Sequence, residues 1–438
     1  MSGLDLGFPR VLTNRPVRVV CMSLALLFPA ERVVSQAPTP VNLYVADIKY
    51  ENGSLRILAP KKLTGDRGVS SQPAFTLDGK SILFVSRRDT TGQSDVYRID
   101  LATGAETQVT RTPENENTPT PTRDGGVMVI RWTPNTLFRE WGPWIYDRTG
   151  APSHGVLPAP DTVGYYVPID ETTYAMMRPK SRPAVAIFDV QKGTMTDYDW
   201  PVANLPPQLV PSRHAVTYTR VDNLGHNEIR QLDLRTLQTS AVAPTVLGRT
   251  AHAWTPNGFI LMGKGNSIYA MKPGSAVTWS RVATFTQSDL QSLTTYVVSP
   301  RGDKLILISP VKPPLHQALR DSMQAGRSVA GVIDAYRAGS NVASRYDLSM
   351  GALLALAQEE ANRGHSADAI ALFRYTSDLF PNAYEPSTEL AGALSKTGDK
   401  KGALEWYRRS LSRNPRKSAD DAKAYEVTEK IITDLSHN

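Results

Sequence analysis

Between Val69 and Ser309 apolar and polar residues alternate in short runs that turn residues interrupt every few positions. That is the pattern of strands packed on one or both faces. The clearest unit is Gln72-Pro-Ala-Phe-Thr-Leu-Asp-Gly-Lys-Ser-Ile-Leu-Phe-Val-Ser-Arg-Arg88, followed by Ser94-Asp-Val-Tyr-Arg-Ile-Asp-Leu-Ala-Thr-Gly104 and Glu106-Thr-Gln-Val-Thr-Arg-Thr112. It reads as a short strand, an Asp-Gly turn, two apolar strands and a polar last strand. Weaker copies follow at intervals of about 40 residues, beginning near Thr118, Gly164, Gln208 and His252. A last copy starts at Thr294 and stops after two strands at Ser309. Its missing strands are predicted at the other end of the chain, in Asn42–Ile48, Ser54–Ala59 and Lys62–Thr64. Such an arrangement makes a ring of six blades, or seven if one copy merges two, closed without an open sheet edge.

These residues closely resemble the blade repeat of the TolB family of periplasmic β-propellers, also described as PD40 or WD40-like. Phe75-Thr-Leu-Asp-Gly-Lys80 departs from the family pattern only where Thr76 and Leu77 replace Ser and Pro. The resemblance covers about 42–311. It implies a six-bladed β-propeller in the periplasm, binding envelope partners at one mouth of the ring.

From Leu315 the periodicity becomes helical, with helices expected over His316–Gln324 and Ser328–Arg337. Gly364, Ala369, Phe373 and Pro381 then recur as Gly398, Ala403, Tyr407 and Pro415, each 34 residues later. A small Ala lets paired helices approach, an aromatic fills the gap between pairs, and Pro ends the second helix. Met350–Arg416 resembles tetratricopeptide repeats (TPR), which implies a C-terminal α-helical TPR array, with Ala419–Leu435 as a polar capping helix. The first helices of such repeats would turn Leu354, Gln358 and Ala361, then Glu385, Thr388, Gly392 and Ser395, toward a peptide-binding groove. The Lys and Asn residues of carboxylate-clamp repeats are missing from these positions.

The expected fold is therefore multidomain β + α. Its parts are a signal peptide over 1–37, a propeller over 38–312 and a helical TPR-like domain over 313–438. Arg10, Arg15 and Arg18 precede an apolar run, Val19–Phe28, and a polar stretch to Pro40, the layout of a secretory signal. That run falls short of the about 20 residues a membrane span requires. Cys21 is the one cysteine and lies within the signal, so a cleaved chain would hold neither disulfides nor thiolate metal sites. The net charge of +7 comes from scattered Lys and Arg, with nothing longer than pairs such as Lys61-Lys62, Arg87-Arg88 and Arg408-Arg409. No nucleic-acid partner is expected from that pattern.

Motifs for catalysis are missing: there is no Gly-x-Ser-x-Gly, His-Glu-x-x-His, phosphate loop or Gly-x-Gly-x-x-Gly. The seven histidines, His154, His214, His226, His252, His316, His365 and His437, show no ligand spacing. Neither catalytic residue, metal nor cofactor is expected. The most distinctive local feature is the stretch Trp132 to Trp144, which holds Phe138, Arg139, Glu140 and Trp141 and is followed by Tyr165 and Tyr166. Its rings suit stacking on a sugar or clamping a Pro-rich peptide, with Arg139 and Glu140 orienting polar groups. The reading is an exported non-catalytic protein-interaction scaffold whose propeller face and TPR groove each hold a protein or peptide partner of the cell envelope. The alternative is a glycan-binding protein or metal-dependent propeller enzyme built on the aromatic loop.

Overall fold

The computed structural model describes residues 40–437 except 52, 66–67, 89–91, 133–140, 158–161, 181, 223–225, 275–277 and 340–341. The signal-peptide reading, 1–37, lies outside these residues. The described residues fall within one compact unit. Its first strand, β1 (Val41–Glu51), carries β2 (Ser54–Ile57) on its far end and β3 (Lys61–Lys62) nearer its start, both antiparallel. Next comes the meander β4 (Val69–Phe75), β5 (Ser81–Arg87), β6 (Asp95–Asp100) and β7 (Glu106–Gln108). Four separate four-stranded antiparallel sheets follow in chain order. They are β8 (Asn115–Pro121) to β9 (Val127–Trp132), β10 (Gly142–Tyr146) and β11 (Pro152–Gly155); then β12 (Tyr165–Pro168), β13 (Thr173–Arg178), β14 (Ala184–Asp189) and β15 (Thr194–Asp199). After them come β16 (Gln208–Leu209), β17 (Ala215–Arg220), β18 (Glu228–Asp233) and β19 (Thr239–Pro244), and β20 (Ala253–Trp254), β21 (Ile260–Lys264), β22 (Ser267–Met271) and β23 (Ser280–Thr284). Finally β24 (Thr295–Val298) pairs with β25 (Lys304–Pro310), which pairs with β1 from Val41↔Pro310 to Asp47↔Lys304. A parallel bridge, Val41↔Val69, joins β1 to β4, so nine strands from both ends of the β region share one sheet.

Two recurring turns explain why the chain folds back where it does. Between first and second strands a Thr or Ser carbonyl accepts from a Gly three residues on, as in Gly79 to Thr76, Gly258 to Thr255 and Gly302 to Ser299, at 2.8–2.9 Å. These glycines have φ of +70° to +82°, a region that costs other residues free energy. Between third and fourth strands an Asp side chain collects the N–H and hydroxyl groups that follow it: Asp100 from Thr103, Asp147 from Thr149 and Asp233 from Thr236. Those bonds favour the ionised form and hold all three carboxyls below their ordinary range.

Second strands are buried along nearly their whole length, as in Ser81–Ser86, Met128–Ile130 and Leu305–Pro310, and fourth strands such as β11 are exposed. Continuous apolar runs therefore mark strands packed on both faces. β16 and β20 are shorter than the runs expected at Gln208–Ser212 and His252–Gly258, because the turn bonds Val210 to Ala215 and Thr255 to Phe259 take over after two residues.

The helices are α1 (Leu315–Gln324), α2 (Val329–Ala338), α3 (Val342–Arg345), α4 (Met350–Asn362), α5 (Ser366–Leu379), α6 (Glu385–Lys396), α7 (Lys400–Arg413) and α8 (Ala419–His437). Ser328, Ser349 and Asp399 cap α2, α4 and α7 by accepting backbone N–H groups. Gly364 and Gly398, at φ +84° and +89°, reverse the chain after α4 and α6. Ala369, Phe373, Ala403 and Tyr407 are all buried in one core that runs from Leu315 to Tyr407.

Among the described glycines Gly150 is the tightest position. It lies at φ +82°, and a Cβ there would sit 1.8 Å from the carbonyl oxygen of Val109 in the preceding meander. Replacement by Ala must move one backbone against another, so Gly150→Ala is expected to cost about 3 kcal/mol or more. Chemical unfolding of the variant beside wild type measures it.

Candidate functional site

At the ends of β9 and β10 the structure gathers part of the expected aromatic surface. The Trp132 and Trp141 rings lie 5.6 Å apart at 38°, both half-buried. Arg131 stacks its guanidinium over Trp144 at 4.4 Å and pairs with Glu114. Burial opposes ionisation of Glu114, yet Arg131 and Thr112 outweigh it and hold the carboxyl below its usual range. The neighbouring meander repeats the device: Arg88 lies 3.9 Å over Tyr97 and pairs with Glu106. Phe138, Arg139 and Glu140 fall outside the described residues. Tyr166 is not a rim residue; it is 3% exposed, and its hydroxyl donates to the carbonyls of Thr118 and Met128 at 3.0 and 2.7 Å. Among the described residues the exposed tryptophan is Trp200, at 45%, which the sequence pattern placed only as a strand end.

Beneath this surface lies Glu116, fully buried on β8. Thr110, Thr112 and Tyr146 all donate hydroxyls to its carboxylate, the first and last at 3.0 and 2.9 Å. Thr110 and Thr112 belong to the loop after β7, so the network latches one sheet to the next. Burial outweighs the three donors and pushes the Glu116 carboxyl up to about 7.

In the helical part Leu354 is not a groove residue. It is 8% exposed and belongs to the core, because the same helical stripe that would face a groove packs on neighbouring helices. Thr388 is held inward, donating to the Tyr384 carbonyl at 3.2 Å and bonded to Ser410 Oγ on α7 at 2.6 Å. Gln358, Ala361, Glu385 and Ser395 remain half-buried on α4 and α6, two helices in mutual contact. Gln358 donates to Asn362 Oδ1 at 3.1 Å, and burial raises the Glu385 carboxyl, as it does Glu389 one turn on.

The described histidines have separate surroundings. His252 is buried between Thr217 and Thr219, at 2.9 and 3.3 Å, and burial depresses it to about 4. His154 bonds Ser153, His214 bonds Ser212, and His226 lies 3.4 Å from Asp222. Only at the α4–α5 turn, among the described residues, does an imidazole meet two carboxylates: ligand atoms of Glu360, His365 and Asp368 lie within 4.8 Å of one another. There His365 Nδ1 is 2.8 Å from Glu360 Oε2, and Arg363 occupies Oε1, the position a cation would need. The cluster seals the turn, with Asp368 in the first turn of α5 complementing the helix dipole.

No family model and no curated protein matches this chain. Solved structures similar to it include TolB from Acinetobacter baumannii, at 16% identity and a TM-score of 0.40, over 61% of this chain and 63% of that one. A chain assigned as TolB from Agrobacterium tumefaciens is 13% identical with a TM-score of 0.46, over 62% and 98%. An oligogalacturonate lyase in complex with manganese is 17% identical with a TM-score of 0.40, over 62% and 83%. The chain thus spans less than two thirds of the Acinetobacter protein it resembles. No helix among the described residues is long and apolar enough to cross a membrane.

The Glu116 network sets a pH dependence. A carboxyl whose folded value, about 7, lies above its ordinary 4.5 adds stability that is complete below about pH 4.5 and lost as pH rises through 7. Over that interval wild type is expected to lose about 3 kcal/mol relative to Glu116→Gln, which keeps the shape without the titration. Urea unfolding of both proteins across the interval checks it.

Proposed function

We propose that this chain is an exported, non-catalytic interaction scaffold: a six-bladed TolB-like propeller over 38–312 followed by a TPR-like helical array over 313–438, behind a signal peptide over 1–37. Two features support the ring. Grouping β1–β3 with β24–β25 supplies a sixth sheet, and the first strands lie against one another from β4 to β8, from β16 to β20, from β20 to β24 and from β24 back to β4. The blade repeat and the 34-residue helical period support the two halves. Its setting is the periplasm or the cell exterior, and its partners are proteins or peptides of the cell envelope.

The observation that carries the binding role is the surface of Trp132, Trp141, Trp144 and Arg131. Tryptophan and arginine that are partly desolvated beside an ion pair are the residue types in which binding energy concentrates. The helical residues Gln358, Ala361, Glu385 and Ser395 offer a second surface, and holding two partners on one chain raises their effective concentration. This reading assigns no catalytic residue, metal or cofactor. The tilted Trp132–Trp141 pair also favours a second reading, in which the ligand is an oligosaccharide stacked on the indoles.

The test is capture from envelope extract by the mature chain, beside Trp132→Ala/Trp141→Ala and Gln358→Ala/Ser395→Ala, followed by affinity measurement with each recovered protein. A protein partner whose affinity falls by about 30-fold or more in the tryptophan variant supports the scaffold. Oligosaccharide retained by wild type and lost with the two indoles, with no protein partner, replaces it by the second reading.

A further inference from the structure

At two places in the helical part an arginine of one helix lies over an aromatic ring of another, and only the first is neutralised. On α5 the guanidinium of Arg337, from α2, lies 5.4 Å from the centre of the Tyr375 ring and pairs with Asp378 at 2.6 Å. On α7 the guanidinium of Arg374, from α5, lies 5.8 Å from the centre of the Trp406 ring, and that of Arg409, on α7 itself, lies 4.6 Å from it. No carboxylate pairs with either. Asp378 stands three residues after its ring, one helical turn on, whereas Arg409 stands three residues after Trp406. The residue 34 positions after Asp378 is Ser412. Among the described residues neither Arg374, Arg409 nor Glu405, one turn before Arg409, forms an ion pair.

Charge accumulates around this second ring. From Lys396 to Lys417 the chain holds eight Lys and Arg against two acidic residues, Asp399 and Glu405, a surplus of six where the whole chain has seven. Arg413, one turn beyond Arg409, donates to the Ser377 and Ser387 hydroxyls at 2.8 Å, both neutral partners. Burial, and after it the charge of Arg409, hold Arg413 below its ordinary value; Asp378 acts the other way but is already engaged by Arg337. Arg374 and Arg409 are exposed, while the Trp406 indole is 8% exposed. Like charges gathered at one ring repel, and an anion brought to them relieves that repulsion.

We infer that α5 and α7 form a docking surface for an acidic stretch of a partner polypeptide, whose carboxylates pair with Arg374 and Arg409 beside Trp406 and do there what Asp378 does at Arg337. The two helices hold equivalent places in the 34-residue period. Their surface is separate from the residues of α4 and α6 and from the indoles of the strands, and it stands whether or not those bind. Arginine suits the task because its planar fork takes a carboxylate through two hydrogen bonds and still stacks on an aromatic ring. Side chains two apart on an extended segment are about 7 Å apart, so one segment can serve both arginines. The surroundings favour a polypeptide over an anionic lipid surface. Among the described residues the exposed large apolar side chains, from Leu77 to Val311, all precede α1, so the helices present none for insertion among acyl chains.

The test is fluorescence anisotropy of a labelled dodecapeptide with glutamate at alternate positions, titrated with the full-length protein. The same peptide with glutamine for glutamate, and vesicles containing phosphatidylglycerol, are run beside it. Saturable binding of the glutamate peptide alone is expected. Arg374→Gln/Arg409→Gln should weaken it by about tenfold, and Arg374→Lys/Arg409→Lys, which keeps both charges and loses the forks, by about threefold. Arg56→Gln/Lys61→Gln removes the same charge from exposed positions on and beside the strands and should leave the affinity unchanged. Both arginines of the surface are exposed, so their variants should unfold at the wild-type temperature. Failure of the glutamate peptide to saturate, equal binding of the glutamine peptide, an equal loss in Arg56→Gln/Lys61→Gln, or binding to the vesicles in place of the peptide overturns the surface.

Discussion

The seven-residue ladder between β1 and β25 joins Val41–Asp47 to Lys304–Pro310 and so closes a loop of more than two hundred residues. Closure entropy grows only with the logarithm of loop length, by about 0.6 kcal/mol for each doubling. A buried ladder flanked by Leu43, Leu305, Ile306 and Leu307, all 0% exposed, is well able to offset it. No disulfide assists, because the chain's one cysteine lies at residue 21. Without β1, β25 and β4 would each present an unpaired edge. The ladder also sets where the helices begin: Val311 donates to the Pro40 carbonyl at 2.8 Å directly after β25, and α1 starts four residues later. The seam between strands and helices is therefore a consequence of the same closure.

Features that depend on neighbours in sequence are legible in the order of residues alone. The buried second strands announce themselves as apolar runs, Ser81–Ser86 and Leu305–Ser309 among them, and the Asp-Gly and Asn-Gly turns fix where they start. In the helices the small residue, the aromatic and the reversing glycine lie at fixed offsets and keep their roles in the core. Features that depend on distant partners are not legible in this way. Leu354 has the spacing of a groove residue and of a core residue alike, and packing decides between them. Tyr166 has the position of a rim aromatic, yet its hydroxyl reaches carbonyls 38 and 48 positions away. Glu116 gives no hint of its burial, since the hydroxyls that satisfy it come from two sheets and are separated by up to 30 positions. Arg249 and Asp321, 72 positions apart, lie in stretches of the chain with opposite periodicity.

Buried polar groups define two kinds of junction in this molecule. At the first kind every atom is paired: Glu116 takes three hydroxyls between adjacent sheets, His252 uses both nitrogens on threonines, and Glu360 divides its oxygens between Arg363 and His365. Such junctions rigidify, because breaking any member strands another in a low-dielectric interior. The seam is the second kind. Its ion pair, Arg249 with Asp321, is complete on the Nη2 side, while Arg249 Nε and His316 Nδ1 are buried with no hydrogen-bond partner among the described residues. Ser81 and Tyr375 likewise carry a buried hydroxyl with no hydrogen-bond partner among the described residues. Such a junction holds less firmly than a fully paired one, because a buried polar atom without a partner costs free energy.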